Sequence, residues 1–214
     1  MNRIAFTVVV CLTFAAPAAA QQDDQIGRFI VDFRGAYGRH KVEPTVATDL
    51  GVDSGNLPAR SWGFATGAHF YFWRTKHITL GIGAEVVWAR GSRTTQVTNA
   101  DGSMSPGPTV RQHFNTVVPE FSMNFGHRNG WSYISGGAFG SSSLYLDRAD
   151  APAQNVPRRS TLSYGGGARW FTNERIAFAV DFHWYSVAEM PAGSIYVAEP
   201  RTTLLILSGG IAIR

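Results

Sequence analysis

The chain has 214 residues, which suits a single domain, and it carries a mild formal net charge of +4 with only 16% charged residues. Its basic residues are not clustered, so composition gives no support to nucleic-acid binding. The sole cysteine, Cys11, lies in an apolar N-terminal segment. Disulfides and thiolate chemistry are therefore excluded from the remainder of the chain.

Residues 1–20 have the pattern of a cleaved signal peptide. A positive start and an apolar run are followed by Ala18-Ala19-Ala20, the small residues that signal peptidase reads, so we expect cleavage before Gln21. The apolar run is shorter than the roughly 20 residues of a transmembrane helix, which disfavours a retained anchor. We expect a short tail at 21–26 and one exported domain over 27–214.

No later apolar run is long enough for a helix to cross a membrane. The mature chain is therefore either a soluble periplasmic protein or a protein that crosses the membrane as strands. The second possibility requires a closed barrel, because lipid cannot satisfy the backbone polar groups of an open sheet.

Eight segments alternate apolar and polar residues with a period of two, as strands with two different faces do. In the fourth segment Pro119 interrupts the pattern, since proline removes a ladder donor. In the fifth and weakest segment, Trp131, Tyr133, Phe139 and Tyr145 share one parity, which we assign to the apolar face. The eight segments are predicted at about 27–38, 61–73, 77–89, 114–126, 130–145, 160–171, 175–186 and 202–214.

The connections between these segments alternate between short and long. Short polar turns are predicted around 74–76, 127–129 and 173–175, and long loops rich in Gly, Pro, Ser and Asp at 39–60, 90–112, 146–159 and 187–201. Short and long connections therefore lie at opposite ends of the strands. Outer-membrane barrels have this asymmetry, with short periplasmic turns and long outer loops.

The placement of charges indicates which face meets lipid. The six charged residues within the strands fall on the polar parity, and none lies in the middle of an apolar face. A basic residue facing the bilayer midplane costs about 2–4 kcal/mol, so the apolar face is predicted to point outward. We expect the inward charges and two histidines to form a structural polar network of salt bridges and hydrogen bonds. Its members are Asp32, Arg34, Glu85, Glu120, Arg169, Asp181, His69 and His183.

The six tryptophans are predicted to form two belts at the two membrane interfaces. One belt, at the long-loop end, comprises Trp62, Trp88 and Trp184. The other, at the short-turn end, comprises Trp73, Trp131 and Trp170.

The closest local resemblance lies in Gly165-Gly166-Gly167-Ala168-Arg169-Trp170-Phe171, a short turn, and Ala179-Val180-Asp181-Phe182-His183-Trp184-Tyr185. This glycine-rich strand, tight turn and strand with an inward aspartate resemble the small outer-membrane β-barrel family, which includes the OmpA transmembrane domain, OmpX and opacity-type proteins. The resemblance implies an eight-stranded antiparallel up-and-down transmembrane β-barrel. Family members commonly end in an aromatic residue, whereas this chain ends at Arg214.

Two further interpretations, a metal or acid–base site and a lipid A deacylase, have weaker support from the sequence than a structural polar network. His69 and His183 could bind a metal or act in acid–base work, but the predicted register places them at opposite ends of the barrel. Lipid A deacylases are barrels of this size with a His-x-Ser arrangement. Here the spacing from His183 to Ser186 puts the two side chains on opposite faces of a strand.

The sequence therefore predicts a non-enzymatic integral outer-membrane protein with a lumen filled by side chains, and with no catalytic, metal or cofactor site. The expected partners are outer-membrane lipid, lipopolysaccharide and the barrel-assembly machinery, with no nucleic acid, and the chain is expected to be a monomer. Three alternatives stay open. They are a gated proton or ion path through the inward charges, a lipid A-modifying hydrolase, and a soluble lipocalin-like binding barrel with its apolar residues inside.

Overall fold

The computed structural model describes residues 25–40, 44–150, 156–191 and 198–214. The predicted signal peptide, its cleavage site and most of the predicted tail lie outside these residues. No helix among the described residues is long and apolar enough to cross a membrane.

Eight antiparallel strands form one closed barrel in sequence order, and the ring closes where the first strand pairs with the last. This confirms the predicted fold class. Each strand alternates between a buried inner face and an outer face because successive side chains point to opposite sides of a sheet. The strands are β1 Phe29–His40, β2 Arg60–Arg74, β3 Ile78–Thr98, β4 Met104–His127, β5 Gly130–Arg148, β6 Arg159–Phe171, β7 Ile176–Val187 and β8 Thr202–Ile213.

The two ends of the barrel differ in the length of their connections. At one end the strands are joined by short turns at 75–77, 128–129 and 172–175. At the other end the β1–β2 connection contains a short helix, α1 Pro44–Asp49, and a 3-10 turn at Ser54–Asn56. Both described termini lie at the short-turn end, because β1 begins and β8 ends there.

The predicted loop at 90–112 is wrong in its extent, because β3 and β4 continue through most of it as a hairpin. Pairing runs from Arg90↔His113 to Thr98↔Met104, with one irregularity near Thr95. The connecting loop is only 99–103. The segment is polar and contains Pro106 and Pro108, which favoured a loop. The part beyond Arg93↔Val110 extends past the barrel as a two-stranded ribbon and needs no apolar face, so its sequence carries no alternation.

The outer face of every strand carries exposed apolar side chains. A polar solvent would hydrate such a surface poorly, and soluble monomers rarely expose a contiguous apolar patch of more than a few hundred Å². Exposed residues of this surface include Phe29, Phe33, Phe64, Phe70, Ile82, Val117, Phe121, Ile134, Leu162, Val180, Phe182, Leu207 and Ile211.

The predicted face assignment of β5 is wrong in its first half. Trp131 and Tyr133 are buried inside the barrel, and the parity then switches at Ala138 and Phe139, which both point outward. This is a β-bulge: β5 has one extra residue relative to both of its neighbours, and Phe139 has a φ of +65°. The bulge lies opposite Pro119, where β4 has no backbone donor to offer β5.

A second bulge, in β2, explains how Trp73 reaches the outer surface. Tyr71 is buried and Trp73 is exposed although the two residues have the same parity. The register of β2 against β3 shifts between these residues, so Phe72 and Trp73 both point outward.

Candidate functional site in the barrel lumen

Arg34 is the centre of a buried charge network to which several strands contribute. Its Nε lies 2.8 Å from Asp32 Oδ1, and its Nη1 lies 2.9 Å from Asp181 Oδ1. The same guanidinium pairs with Glu85 and donates a hydrogen bond of 3.1 Å to Ser208 Oγ. One cation thus contacts three carboxylates, a compact arrangement that partly repays the cost of removing these charges from water.

Arg169 forms the second cationic group of the lumen. Its Nη2 lies 2.7 Å from Asp32 Oδ2, and its guanidinium carbon lies 4.3 Å from the centre of the Tyr133 ring. The Tyr133 hydroxyl donates to Asp181, and the Tyr185 hydroxyl donates to Glu85. Every carboxylate of the network except that of Glu120 therefore contacts at least one arginine.

Both histidines approach Glu120, so the prediction that they lie at opposite ends of the barrel is wrong. His69 Nε2 is 3.7 Å from Glu120 Oε2, and His183 Nε2 is 3.6 Å from Glu120 Oε1. The reason is the tilt and stagger of barrel strands, by which position along a strand differs from height along the barrel axis. Across β2, β3 and β4, His69 is paired with Gly83 and Gly83 is paired with Glu120. The glycine leaves room between the histidine and glutamate side chains.

His183 also has two short contacts that resemble a Ser-His-Asp arrangement. Its Nδ1 lies 2.7 Å from Asp181 Oδ1, and its Nε2 lies 2.8 Å from Ser135 Oγ. A serine hydroxyl, an imidazole and a carboxylate in this order can activate a nucleophile. Ser135 is only 8% exposed, however, and it faces the interior of the barrel.

The sequence prediction missed Ser135, Tyr133 and Tyr185 as members of this network. The wrong face assignment for the first half of β5 placed Tyr133 outward. One signal could have corrected it: the two-residue turn at 128–129 sets His127 opposite Gly130, and hence Asn124 opposite Tyr133. Residues directly opposite share a face, and Asn124 has the parity of Glu120, which the sequence places on the polar face.

Five of the six tryptophans point away from the lumen, and Trp131 does not. Trp62, Trp73, Trp88 and Trp170 are exposed, and Trp184 is half-buried against Tyr164 on the outer face. Trp131 is 4% exposed and packs inside the barrel, edge-on to Tyr71. Its assignment to the belt at the short-turn end is therefore wrong, for the reason given for β5.

At the long-loop end a further ion pair fastens the β7–β8 connection to the barrel. Arg159 Nη2 lies 2.8 Å from Glu199 Oε2, and the arginine also donates to the carbonyl oxygens of Leu144 and Ala188. Burial raises the pKa of the Glu199 carboxyl, and the neighbouring Arg159 guanidinium opposes that rise.

A closed eight-stranded barrel with an apolar outer face and charges confined to its interior defines the architecture of an outer-membrane β-barrel. A solved structure agrees with this architecture. OprG from Pseudomonas aeruginosa superposes with a TM-score of 0.50 at 13% identity, over 90% of this chain and 97% of OprG. Ail from Yersinia pestis has a TM-score of 0.47 at 13% identity, over 88% of this chain and 99% of Ail. At 13% identity the likeness to OprG shows the fold alone.

Neisserial surface protein A is a third solved structure of this kind, with a TM-score of 0.46 at 10% identity over 86% of this chain and 96% of its own. No protein-family model matches the sequence. A search of curated proteins also finds no match.

Proposed function

We propose that this chain is an integral outer-membrane protein without enzymatic activity, whose barrel crosses the bilayer and whose long-loop end faces outward. The observation that carries this proposal is the apolar outer face present on all eight strands. Such a surface is compatible with the hydrocarbon core of a bilayer. The closed barrel also leaves no unpaired strand edge exposed to lipid. A lipocalin-like soluble barrel has the opposite arrangement, with polar residues outside.

The same proposal gives the lumen a structural role and the outer end a role in surface contacts. Opposite charges from several strands pair with one another in the lumen, which ties distant parts of the ring together. Arg90, Arg93 and Arg111 lie toward the long-loop ends of β3 and β4, and Arg158, which donates to Ser141 of β5, lies at the same end of the barrel. Guanidinium groups bind phosphates well, so lipopolysaccharide is the partner that this end suits best.

Fractionation and gel mobility test the proposal together. The protein is expected in the outer-membrane fraction, insoluble without detergent, with a faster electrophoretic mobility when unheated than when boiled. The shift reports the folded barrel, which resists the detergent at room temperature. Recovery of a folded, detergent-free monomer from the periplasm would contradict the proposal.

A hydrolase is the second candidate function, and the contacts of His183 with Ser135 and Asp181 are the observation that favours it. A nucleophilic serine must reach its substrate, and Ser135 is enclosed by the barrel wall. Reaction of the folded protein with a fluorophosphonate probe separates the two candidates. The hydrolase predicts labelling that Ser135→Ala abolishes, together with altered lipid A on mass spectrometry. The non-enzymatic proposal predicts neither.

A further inference from the structure

The lumen holds a group of possible metal ligands that the known fold does not require. Glu85, Glu120 and His183 each offer a ligand atom, and these atoms lie within 4.8 Å of one another. All three side chains are buried. His69 Nε2 lies 3.7 Å from Glu120 Oε2, whereas His183 approaches Oε1 of the same carboxylate.

The spacing of these groups fits an ion between them better than direct contact. The two imidazole–Glu120 distances, 3.6 Å and 3.7 Å, are longer than a hydrogen bond. Two atoms that each bind one zinc ion at about 2.0–2.2 Å lie roughly 3–4 Å apart. The contacts of Glu120 with both imidazoles have this separation.

His183 is oriented as a metal-ligating histidine is. Its Nδ1 is held at 2.7 Å by Asp181, which fixes the tautomer that leaves the Nε2 lone pair facing Glu120. A carboxylate behind the imidazole is the usual partner of a histidine that binds zinc. Glu120 is held in a similar way by the Ser163 hydroxyl, which donates to its Oε1 over 3.0 Å.

His69 supplies an independent sign of a missing partner. The residue is 4% exposed, and neither of its ring nitrogens has a hydrogen-bond partner among the described residues. A buried polar group without a partner costs about 1–3 kcal/mol, so such groups are rare without a reason. The Nε2 atom of this ring points toward Glu120.

The charge of the network also leaves room for a divalent cation. It contains four carboxylates (Asp32, Glu85, Glu120 and Asp181) and the two guanidinium groups of Arg34 and Arg169, so its net charge is −2 with neutral imidazoles. Uncompensated buried charge is costly. One divalent ion would neutralise the network while both histidines act as ligands.

The geometry points to a divalent transition-metal site in the barrel lumen, with Glu120 and His183 as its central ligands and Glu85 and His69 beside them. Imidazole nitrogen and carboxylate oxygen are donors that zinc accepts. The Ser135 hydroxyl can donate a hydrogen bond to His183 Nε2, and rotation of the serine side chain would free the lone pair of that nitrogen for an ion. This site goes beyond the proposed membrane role, which does not depend on it.

Metal content of the detergent-folded protein tests the site directly. Zn²⁺ is supplied in one sample during folding and in another after folding, and the protein is then dialysed against a weak chelator. We expect about one zinc per chain in at least one sample, and a visible absorption spectrum of a nitrogen–oxygen site when Co²⁺ replaces Zn²⁺. If neither sample retains metal, the proposal is wrong.

Substitutions then locate the site. Glu120→Gln and His183→Gln are each expected to weaken Zn²⁺ binding at least tenfold, as loss of a ligand requires. His113→Gln is the matched control, because His113 forms a similar imidazole–carboxylate pair with Asp147, at 3.2 Å, on a different part of the barrel. Ser135→Ala should leave Zn²⁺ binding intact or strengthen it. Equal binding by wild type, Glu120→Gln and His183→Gln would overturn the assignment.

Gel mobility of unheated samples confirms folding for each variant, which keeps a failure of the metal site distinct from a failure of the barrel. If His183→Gln does not fold, His69→Gln takes its place, with an expected loss of Zn²⁺ affinity and unchanged folding. A His69→Gln protein that binds Zn²⁺ as wild type does would remove His69 from the site.

Discussion

At the scale of single residues, the packing of the lumen depends on a glycine that leaves room for its neighbours. Gly83 lies between His69 and Glu120 in the sheet register, and both neighbours project inward at that level. A Cβ atom at Gly83 would lie 2.5 Å from His69 Cδ2 and 2.7 Å from His69 Cγ, and closer still to the Ala68 carbonyl oxygen. Such contacts are too short for real structures, so the ring or the backbone would have to move.

We therefore expect Gly83→Ala to destabilise the barrel by about 1–3 kcal/mol, which is typical of overpacking in a filled interior. Urea unfolding in detergent, followed by tryptophan fluorescence, measures the change. Gly209→Ala is the matched control, because a Cβ there meets only the Ala179 carbonyl oxygen at 3.8 Å. Equal stabilities for the two variants would contradict the explanation.

Two tryptophans at the same level of the barrel test which face each strand presents. Trp131 pairs with Arg169 and Trp170 pairs with Gly130, but Trp131 is 4% exposed and Trp170 is 54% exposed. In single-tryptophan variants reconstituted with brominated lipids, we expect strong quenching of Trp170 and weak quenching of Trp131. Bromine quenches only at short range, so only the lipid-facing indole is affected. Strong quenching of Trp131 would restore the belt assignment made from the sequence.

At the scale of elements, β3 and β4 have two structurally different parts. Up to Arg93 and Val110 they belong to the barrel wall, because β4 pairs with β5 as far as Val110↔Arg148, and beyond this pair they form a two-stranded ribbon. Most side chains beyond residue 96 on β3 and before residue 108 on β4 are exposed or half-buried. The ribbon therefore adds little buried surface to the barrel.

Shortening the ribbon is expected to leave the barrel folded. Replacement of residues 98–104 by Asn-Gly keeps the Val97↔Ser105 pair, whose backbone N–H groups can close the turn, and supplies a turn that suits a two-residue hairpin connection. The free energy of unfolding should change by less than about 1 kcal/mol, because loop length has a weak effect on stability. Loss of the gel mobility of the folded form would show that the ribbon is part of the folding unit.

The strands were predictable from the sequence where apolar surroundings on one face and a polar lumen on the other impose alternation. In β7 the outward residues from Ile176 to Trp184 alternate with inward ones from Ala177 to Tyr185, and both the element and its faces follow. In β5, glycine and serine occupy both faces, so parity carries little information and the bulge erases what remains. The proximity of His69 and His183 was not predictable, because it depends on the stagger of the closed ring, which no single strand encodes.

At the scale of the whole molecule, buried charges connect strands that are far apart in the chain. Arg34 on β1 contacts Glu85 on β3 and Asp181 on β7, at separations of 51 and 147 residues (85 minus 34 and 181 minus 34). The contact with Asp181 crosses the β1–β8 pairing that closes the ring, so it forms only in the closed barrel. Closure and charge compensation are therefore linked.

Replacement of Arg34 should consequently act on the whole barrel. Arg34→Met removes the cation but keeps much of the side-chain volume, and leaves three carboxylates without their shared partner. We expect a loss of about 3–5 kcal/mol in the free energy of unfolding, or failure to fold, because an unpaired buried charge is strongly unfavourable. Arg90→Met, at an exposed arginine, should change stability by less than about 0.5 kcal/mol. Comparable stabilities for the two variants would contradict the assigned role.

The bulge in β5 has a consequence for how this protein tolerates change in its length. A one-residue deletion in a membrane strand normally turns every later side chain from lipid to lumen. In β5, however, Ala138 and Phe139 occupy the place of one residue between Gly137 and Gly140. Removal of Phe139 would leave Ser142 and Leu144 facing inward and the register with β6 unbroken. Deletion of this single residue is therefore expected to preserve which side chains of β5 face the lumen and which face outward.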